Sequence, residues 1–338
     1  MAVKMIEMDL ELQNTISGPP MSSTQLYQNA CSNDTITIQS WEKIWLANIK
    51  ANKEKYGNFS DHSIGKFFGE YDKRPVIIAG SGPSLKENIK DMKDTQGIPI
   101  LSCLHNYHYF EDNEVKPFAY VSLDAGDITV EEISEGGSKT PEEYLESTKD
   151  KKLFCFIGTS PKLLNSWRGE VYFFNAPVPS APYMAEVEKM EKFNTYVSNG
   201  GNVLGACMYI AKGFMGANPI IFTGADFCFS YTKKFHAWDS KYDKSLGYVM
   251  KAVDIFGNKR LTWQSYYNFK CWFDWVSCNI NGLYINSSEG GCLGSYSEGN
   301  IEQIKQMPLN QVVRQYSFYR ELEDQAKNPK TDVKKLLF

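Results

Sequence analysis

Short apolar runs separated by polar, helix-forming stretches dominate the middle of the chain. The first run, Val76-Ile-Ile-Ala79, places aliphatic residues at consecutive positions, which is typical of a strand buried on both faces. Similar runs predict strands at 99–103, 118–123, 153–157, 171–174 and 219–223. Because helical stretches separate these runs, the pattern predicts an α/β fold with a mostly parallel sheet and helices on both faces.

The flanking regions have other patterns. A helix is predicted at 40–52, with Trp41, Ile44, Trp45 and Ile49 on one face. After residue 240 the chain predicts an aromatic helix at 262–278, a strand at 283–286, and one or two helices at 301–319. We therefore predict four regions. They are an N-terminal leader with a packing helix (1–72), a nucleotide-binding core (73–240), an aromatic helical extension on the acceptor side (241–320) and a charged tail (321–338).

The first strand leads directly into Gly80-Ser-Gly-Pro-Ser84, and a helix is predicted from Leu85. Two glycines permit positive φ and a close approach to the backbone, Pro83 suits the start of a helix, and Ser84 has a capping hydroxyl. A strand, a glycine turn and a helix in this order point free N–H groups at an anion. The stretch predicts the phosphate end of a nucleotide site in a Rossmann-like sheet, although a tight connection without a ligand fits it equally well.

Polar residues follow several of the predicted strands. Since ligands of parallel sheets bind beyond the carboxyl ends of the strands, these residues are candidates for one site. They are Ser81, Ser84, Asn106, Asp124, Thr159, Ser160 and Asp226. The agreement between these positions and the predicted fold supports a ligand site more strongly than any one motif does.

Composition narrows the classes of function. A formal net charge of −4 does not favour a nucleic-acid backbone as partner. The eight cysteines show no paired metal-ligand spacing, and no segment is long and apolar enough to suggest a membrane span. We expect a cytoplasmic protein without a resident metal. The aromatic helix at 262–278 fits a core or a homo-oligomer interface equally well.

The stretch Val76–Lys86 resembles the nucleotide loop of small bacterial sialyltransferases that use CMP-sialic acid, and 106–112 resembles their second loop. A larger part of the chain, about 73–312, resembles the motility accessory factor (Maf) proteins and their MptE-like relatives. The matching stretches include Asp124, the glycine-rich helix entry at 200–205, 218–226, His236 and Asn286-Ser-Ser-Glu-Gly-Gly291. Maf proteins are implicated in glycosylating flagellin with nonulosonic acids, and MptE-like enzymes are pterin diphosphokinases.

The resemblance implies roles for individual residues. His236 would be the catalytic base, and Asp226 would lie beside the nucleotide. The residues implied or predicted to contact the donor are Gly80, Ser81, Gly82, Ser84, Asn106, Asp124, Thr159, Ser160, Asn202 and Tyr231. The chain departs from the sialyltransferases at Ser81, where they commonly carry Asn. It also departs at Asp124, where an acid beside phosphates favours Mg²⁺.

Three functions remain open on these grounds. The first is a glycosyltransferase that takes its sugar from a CMP-linked nonulosonic acid, for an unidentified acceptor: a glycan, a protein such as flagellin, or a small molecule. The second is an Mg²⁺-dependent 6-hydroxymethylpterin diphosphokinase. The third is a nucleotide-binding module without catalysis. His236 could also be a packing histidine, and Glu289 either covers the site or stabilises a turn.

Overall fold

The structure is a computed structural model that describes residues 7–8, 22–240, 249–297 and 299–327. Its helices are α1 (Ser23–Tyr56), α2 (Leu85–Met92), α3 (Tyr107–Asp112), α4 (Thr129–Glu132), α5 (Pro141–Glu146), α6 (Pro161–Ser166), α7 (Ala181–Met190), α8 (Val203–Tyr209), α9 (Gln264–Asn279) and α10 (Leu309–Lys327). Its strands are β1 (Glu7–Met8), β2 (Val76–Ala79), β3 (Ile100–Cys103), β4 (Ala119–Ser122), β5 (Lys152–Phe156), β6 (Glu170–Phe174), β7 (Ile220–Thr223), β8 (Val249–Val253), β9 (Lys259–Trp263), β10 (Tyr284–Asn286), β11 (Ser295–Tyr296), β12 (Gly299–Asn300) and β13 (Ile304–Gln306).

Eight parallel strands form the central sheet, in the order β13-β10-β7-β2-β3-β4-β5-β6. The chain runs outward from β2 to β6, returns to β7 on the other side of β2, and continues outward through β10 to β13. The switch in direction therefore lies between β2 and β7, the place where doubly wound sheets bind ligands. The mostly parallel α/β fold predicted from the sequence is confirmed.

Consecutive apolar residues fill the centre of the sheet. All four residues of β2 and of β7 are buried, as a parallel sheet covered on both sides requires. The following helices are amphipathic or capped. In α2 the buried residues Leu85, Asn88 and Met92 recur at helical spacing, and α5 begins with a capping box formed by Thr140 and Glu143.

The N-terminal helix is longer than the sequence pattern predicted. It begins at Ser23, so Ser40 lies within α1 and does not cap it. Ile49 is fully buried and Trp45 packs against Phe156, but Ile44 on the predicted apolar face is 42% exposed. Apart from residues 7–8, the predicted leader up to residue 21 lies outside the described residues, as does the tail after residue 327.

The region after residue 240 supplies more sheet than predicted. Strands β10 and β13 extend the central sheet, and β8 and β9 form an antiparallel pair next to β1. Residues 304–306 were predicted as helix but form β13, and only the segment from Leu309 is helical. No helix in the described ranges is both long and apolar enough to span a lipid bilayer.

Candidate functional site

The loops after β2 and β7 interlock at the switch in strand direction. The Gly80 amide donates to the Thr223 carbonyl, and the Gly82 amide donates to the Gly224 carbonyl, each at 2.9 Å. A Cβ on Gly80 or on Gly82 would lie closer than 3.0 Å to the Gly224 carbonyl oxygen. The glycines therefore allow two backbones to touch. The prediction of a turn whose amides all remain free for a phosphate is wrong for these two positions.

Asp226 binds the end of the glycine turn, at Ser84. Its Oδ2 accepts hydrogen bonds from the Ser84 hydroxyl (2.7 Å) and from the Ser84 amide (3.2 Å). The side chain is buried, and this burial raises the carboxyl pKa to about 6, while the Ser84 hydrogen bonds and Arg260 oppose the shift. Asp226 thus bridges the two interlocked loops and remains able to exchange a proton near neutral pH.

A cavity of about 230 Å³ lies beyond the strand ends, and we call it the switch-point cavity. Six residues predicted from the sequence line it: Gly80, Ser81, Gly82, Asp124, Asn202 and Asp226. Sequence reasoning missed other lining residues, chiefly His105, Glu132, Phe235, Tyr266 and Phe269. The lining residues in the described chain include three carboxylates and no lysine or arginine. The described lining therefore supplies no permanent side-chain cation.

Asp124 opens onto this cavity and is accessible from it. Its surroundings partly desolvate the carboxyl group, and this desolvation raises its pKa to about 6. Glu132 acts in the same direction, while His105 opposes it. The Asp226 carboxyl is bound to Ser84 of the glycine turn, whereas the Asp124 carboxyl is not, and this leaves Asp124 available to a ligand.

Asn202 lines the cavity but also has a structural task. Its Oδ1 accepts a hydrogen bond from the Gly205 amide at 2.9 Å, which caps the N-terminus of α8. The glycines before it, Gly200 and Gly201, both have positive φ. The predicted helix entry is therefore confirmed as a capped turn, whereas binding of the donor by Asn202 stays a prediction.

Three predicted donor contacts lie away from the cavity lining. Asn106 is fully buried, and its amide group donates to the carbonyls of Ala79 and Gly80, which holds the end of β2. Ser160 caps α6 and donates to Asp127, and the Thr159 carbonyl accepts from Asn52 of α1. The local geometry gives each of these residues a role in the fold.

Ser84 and Tyr231 lie on a separate outer pocket, which Asp226 and Arg260 also line. Tyr231 is 69% exposed, and the Arg260 guanidinium stacks 3.3 Å from the centre of its ring. Arg260 in turn donates to Asp254 at 2.9 Å. Asp226 thus separates the outer pocket from the switch-point cavity, and Tyr231 is on the far side of it.

His236 lies next to the glycine turn, since the amide of Ala237 donates to the Ser81 carbonyl at 3.1 Å. Its side chain is buried behind the cavity wall. The ring stacks on Trp238 at 4.9 Å and meets His105 edge-on at 4.5 Å. Burial, followed by the neighbouring His105, lowers its pKa to about 3. His236 is therefore a neutral group held behind His105.

His105, in contrast, reaches the cavity itself. Its Nε2 lies 3.4 Å from the Glu135 carboxylate, and Glu135 accepts a hydrogen bond from the Ser240 hydroxyl. A carboxylate beside an imidazole orients the ring. In the sequence, His105 flanks Asn106 and fits loop packing or an acceptor contact, because nothing in its neighbourhood along the chain identifies Glu135 as its partner.

The segment 286–291, the most Maf-like stretch of the sequence, supports the Asp226 loop. Ser288 accepts from the Ala225 amide at 3.0 Å, and Cys292 donates its amide to the Asp226 carbonyl at 2.7 Å. Glu289 accepts from Asn88 and from the Leu309 amide at the start of α10. Glu289 therefore stabilises a turn, which was one of the two roles left open for it.

The chain is similar to one protein family and to one solved structure. A family model described as 6-hydroxymethylpterin diphosphokinase MptE-like matches residues 45–232, more than half of the chain. A solved structure, that of the MAf glycosyltransferase from Magnetospirillum magneticum AMB-1, is 13% identical with a TM-score of 0.49. The match covers 78% of this chain and 42% of that protein, so the chain spans less than half its length. No curated protein matches the chain. On the family match, the chain belongs to the 6-hydroxymethylpterin diphosphokinase MptE-like family.

Proposed function

We propose that this protein is a transferase that binds a nucleotide-linked donor in the switch-point cavity and transfers its glycosyl group to an acceptor hydroxyl. The observation that carries the proposal is the charge of that cavity at the switch in strand direction. It contains three carboxylates and no lysine or arginine from the described residues. A donor with one phosphate, such as a CMP-linked sugar, needs far less charge compensation there than a triphosphate.

His105 is better placed than His236 to act as the base in this reaction. It lines the cavity and has Glu135 beside it, whereas His236 supports the His105 ring from behind. His105 would take the proton from the acceptor hydroxyl while the oxygen forms its bond to the anomeric carbon. The bond from that carbon to the phosphate oxygen breaks, and CMP leaves with the electron pair. General-base catalysis of this kind typically contributes about 10²–10⁴-fold.

Diphosphate transfer from ATP is the second candidate, favoured by the same carboxylates and by the family description. Within the described ranges, no group of three His, Cys, Asp or Glu residues could hold a metal ion. Mg²⁺ does not require such a cage, since it is often bound by one or two carboxylates together with substrate phosphates. Asp124 fits that role, and Mg²⁺ would then neutralise the phosphate charge.

Thermal unfolding with CMP and a CMP-sugar, compared with ATP with and without Mg²⁺, tests the choice. A ligand that binds only the folded state stabilises it by about 2.7 kcal/mol at 100 times its Kd. We expect stabilisation by the cytidine nucleotides without metal. Stabilisation by ATP only with Mg²⁺, and none by cytidine nucleotides, would exclude the glycosyltransferase proposal.

Asp124→Asn sharpens this comparison, with Asp127→Asn as the control because Asp127 does not line the cavity. For a metal-free CMP donor, removal of the Asp124 charge should maintain or tighten binding. For ATP with Mg²⁺ it should weaken binding, since a metal ligand is lost.

His105→Gln should retain CMP binding and lose turnover, and full turnover in that variant would remove the base role.

A further inference from the structure

The switch-point cavity is small for a whole nucleotide sugar. Its volume of about 230 Å³ lies below the range of about 300–1,000 Å³ that is usual for small-molecule sites. A second cavity of about 650 Å³ adjoins it, and we call this one the aromatic chamber. The two cavities share Asp124 and Phe269 as lining residues, and the turn at 198–204 borders both of them. A ligand of extended shape can therefore occupy the two together.

The walls of the chamber suit a flat aromatic ring. Trp45 is held edge-on against Phe156 at 6.2 Å. A Cβ on Gly200 would collide with the Trp272 indole, so the glycine turn packs directly on that ring. Aromatic side chains stack on nucleobases of every kind, because every base has a π face. The aromatic residues that line the chamber are Trp41, Trp45, Phe156, Phe269 and Trp272. They offer a base stacking surfaces that are already in place before it binds.

The protein orients two asparagine side chains of the chamber lining, Asn199 and Asn268. The Oδ1 of Asn199 accepts from the Gly201 amide at 2.8 Å, and the Oδ1 of Asn268 accepts from the Gln264 side-chain amide at 3.1 Å. Since each oxygen is engaged, the amino group is the end of each side chain that is left for a ligand. Amino groups donate hydrogen bonds, and a cytosine ring presents N3 and O2 as adjacent acceptors. The polar groups of the chamber therefore match a base as its aromatic walls do.

Asp124 lies where the chamber meets the switch-point cavity, and it explains how a donor phosphate could pass between them. Partial desolvation raises the pKa of this carboxyl group to about 6. A phosphate next to it would raise that pKa further, so the carboxyl group would stay protonated and donate to a phosphate oxygen. Beyond Asp124, the glycosyl group would reach the part of the switch-point cavity that His105 lines.

We propose that the aromatic chamber binds the nucleoside of the donor, with the base stacked on its tryptophan rings and hydrogen-bonded by Asn199 and Asn268. The proposal rests on the proposed function and adds the direction in which the donor lies. The base is in the chamber, the phosphate is at Asp124 and the glycosyl group is beside His105. In the reverse direction the base would fill the smaller cavity, and the acceptor hydroxyl would have no room next to His105.

Calorimetric titration with CMP tests this placement in two pairs of variants. Trp41→Ala removes a stacking wall, and because Trp41 is already 37% exposed its truncation leaves the core intact. Its control is Ile44→Ala, since Ile44 is 42% exposed on the same helix and does not line the chamber. Asn268→Asp replaces the amino donor by a carboxylate oxygen. Its control is Asn279→Asp, at the exposed end of the same helix and outside the chamber lining.

We expect CMP affinity to fall about tenfold in Trp41→Ala, as for the loss of one base-stacking contact. It should also fall about tenfold in Asn268→Asp, because two acceptors would then face each other. Neither control should change it. Thermal unfolding without ligand shows whether each variant retains the fold.

The inference is overturned if CMP binds the wild type and binds Trp41→Ala and Asn268→Asp equally well. The base would then lie outside the chamber, while the proposed function would stand. If CMP neither binds nor stabilises the wild type, the proposed function fails and the inference fails with it. The two failures are therefore distinguished by the wild-type titration alone.

Discussion

Asp226→Asn tests the central electrostatic feature of the site, a buried carboxyl that bridges the interlocked loops. Its pKa is raised from the ordinary value of 3.8 to about 6, chiefly by burial. The folded state therefore binds the proton more tightly than the unfolded state does. The stabilisation from this proton is fully present below the unfolded pKa and is lost as the pH rises through the folded pKa.

The size of the effect follows from the shift. At about 1.36 kcal/mol per pKa unit, the shift corresponds to about 3 kcal/mol in total, of which about 1.4 kcal/mol is lost between pH 5 and 8. Asn cannot titrate, so the variant lacks this component. We expect the free energy of unfolding of the wild type, relative to Asp226→Asn, to fall by about that amount from pH 5 to 8.

Urea unfolding followed by tryptophan fluorescence at several pH values measures this difference. Ser84→Ala is an informative companion, because the Ser84 hydroxyl stabilises the charged carboxylate at 2.7 Å. Its removal should raise the Asp226 pKa further and move the loss of stability to higher pH. A flat difference between wild type and Asp226→Asn, or one that rises with pH, would refute the account based on burial.

Three further predictions concern stability. Gly80→Ala should lower the free energy of unfolding in urea by about 1–3 kcal/mol, because its Cβ would meet the Gly224 carbonyl. The control Gly290→Ala has open space around it and should cost far less. Equal losses in the two variants would contradict the loop contact. Lys270→Met should lower the free energy of unfolding by about 3–5 kcal/mol, because Asp274 stays buried without its partner at 2.6 Å. Adding Asp274→Leu should recover most of this loss. A double variant without recovery would show that the pair is needed for more than its charge. His236→Gln removes a histidine whose pKa is lowered by burial. As the pH falls from 7.5 to 5, the free energy of unfolding of the wild type should therefore fall by about 2 kcal/mol relative to the variant. No relative change would mean that His236 is not held neutral.

The sequence alone was sufficient to predict the parallel sheet and the polar residues at the carboxyl ends of its strands. Runs such as Val76-Ile-Ile-Ala79 have no amphipathic period, so they fit a strand covered on both faces, and the structure buries all four residues. Polar residues at strand ends then converge because all these strands run in one direction. Six of the predicted site residues line one cavity for this reason.

Tertiary structure decided which of those residues remain available to a ligand. A glycine-rich turn has the same sequence pattern whether its amides bind a phosphate or a second loop. In this structure the Gly82 amide donates to the Gly224 carbonyl of the second loop. Equally, the resemblance pointed to His236 and not to His105, because burial behind a wall and a partner such as Glu135 depend on contacts distant in sequence. The cavity lined by Trp41, Gly200 and Trp272 forms where α1, the 198–201 turn and α9 come together, and no local sequence pattern predicts that contact.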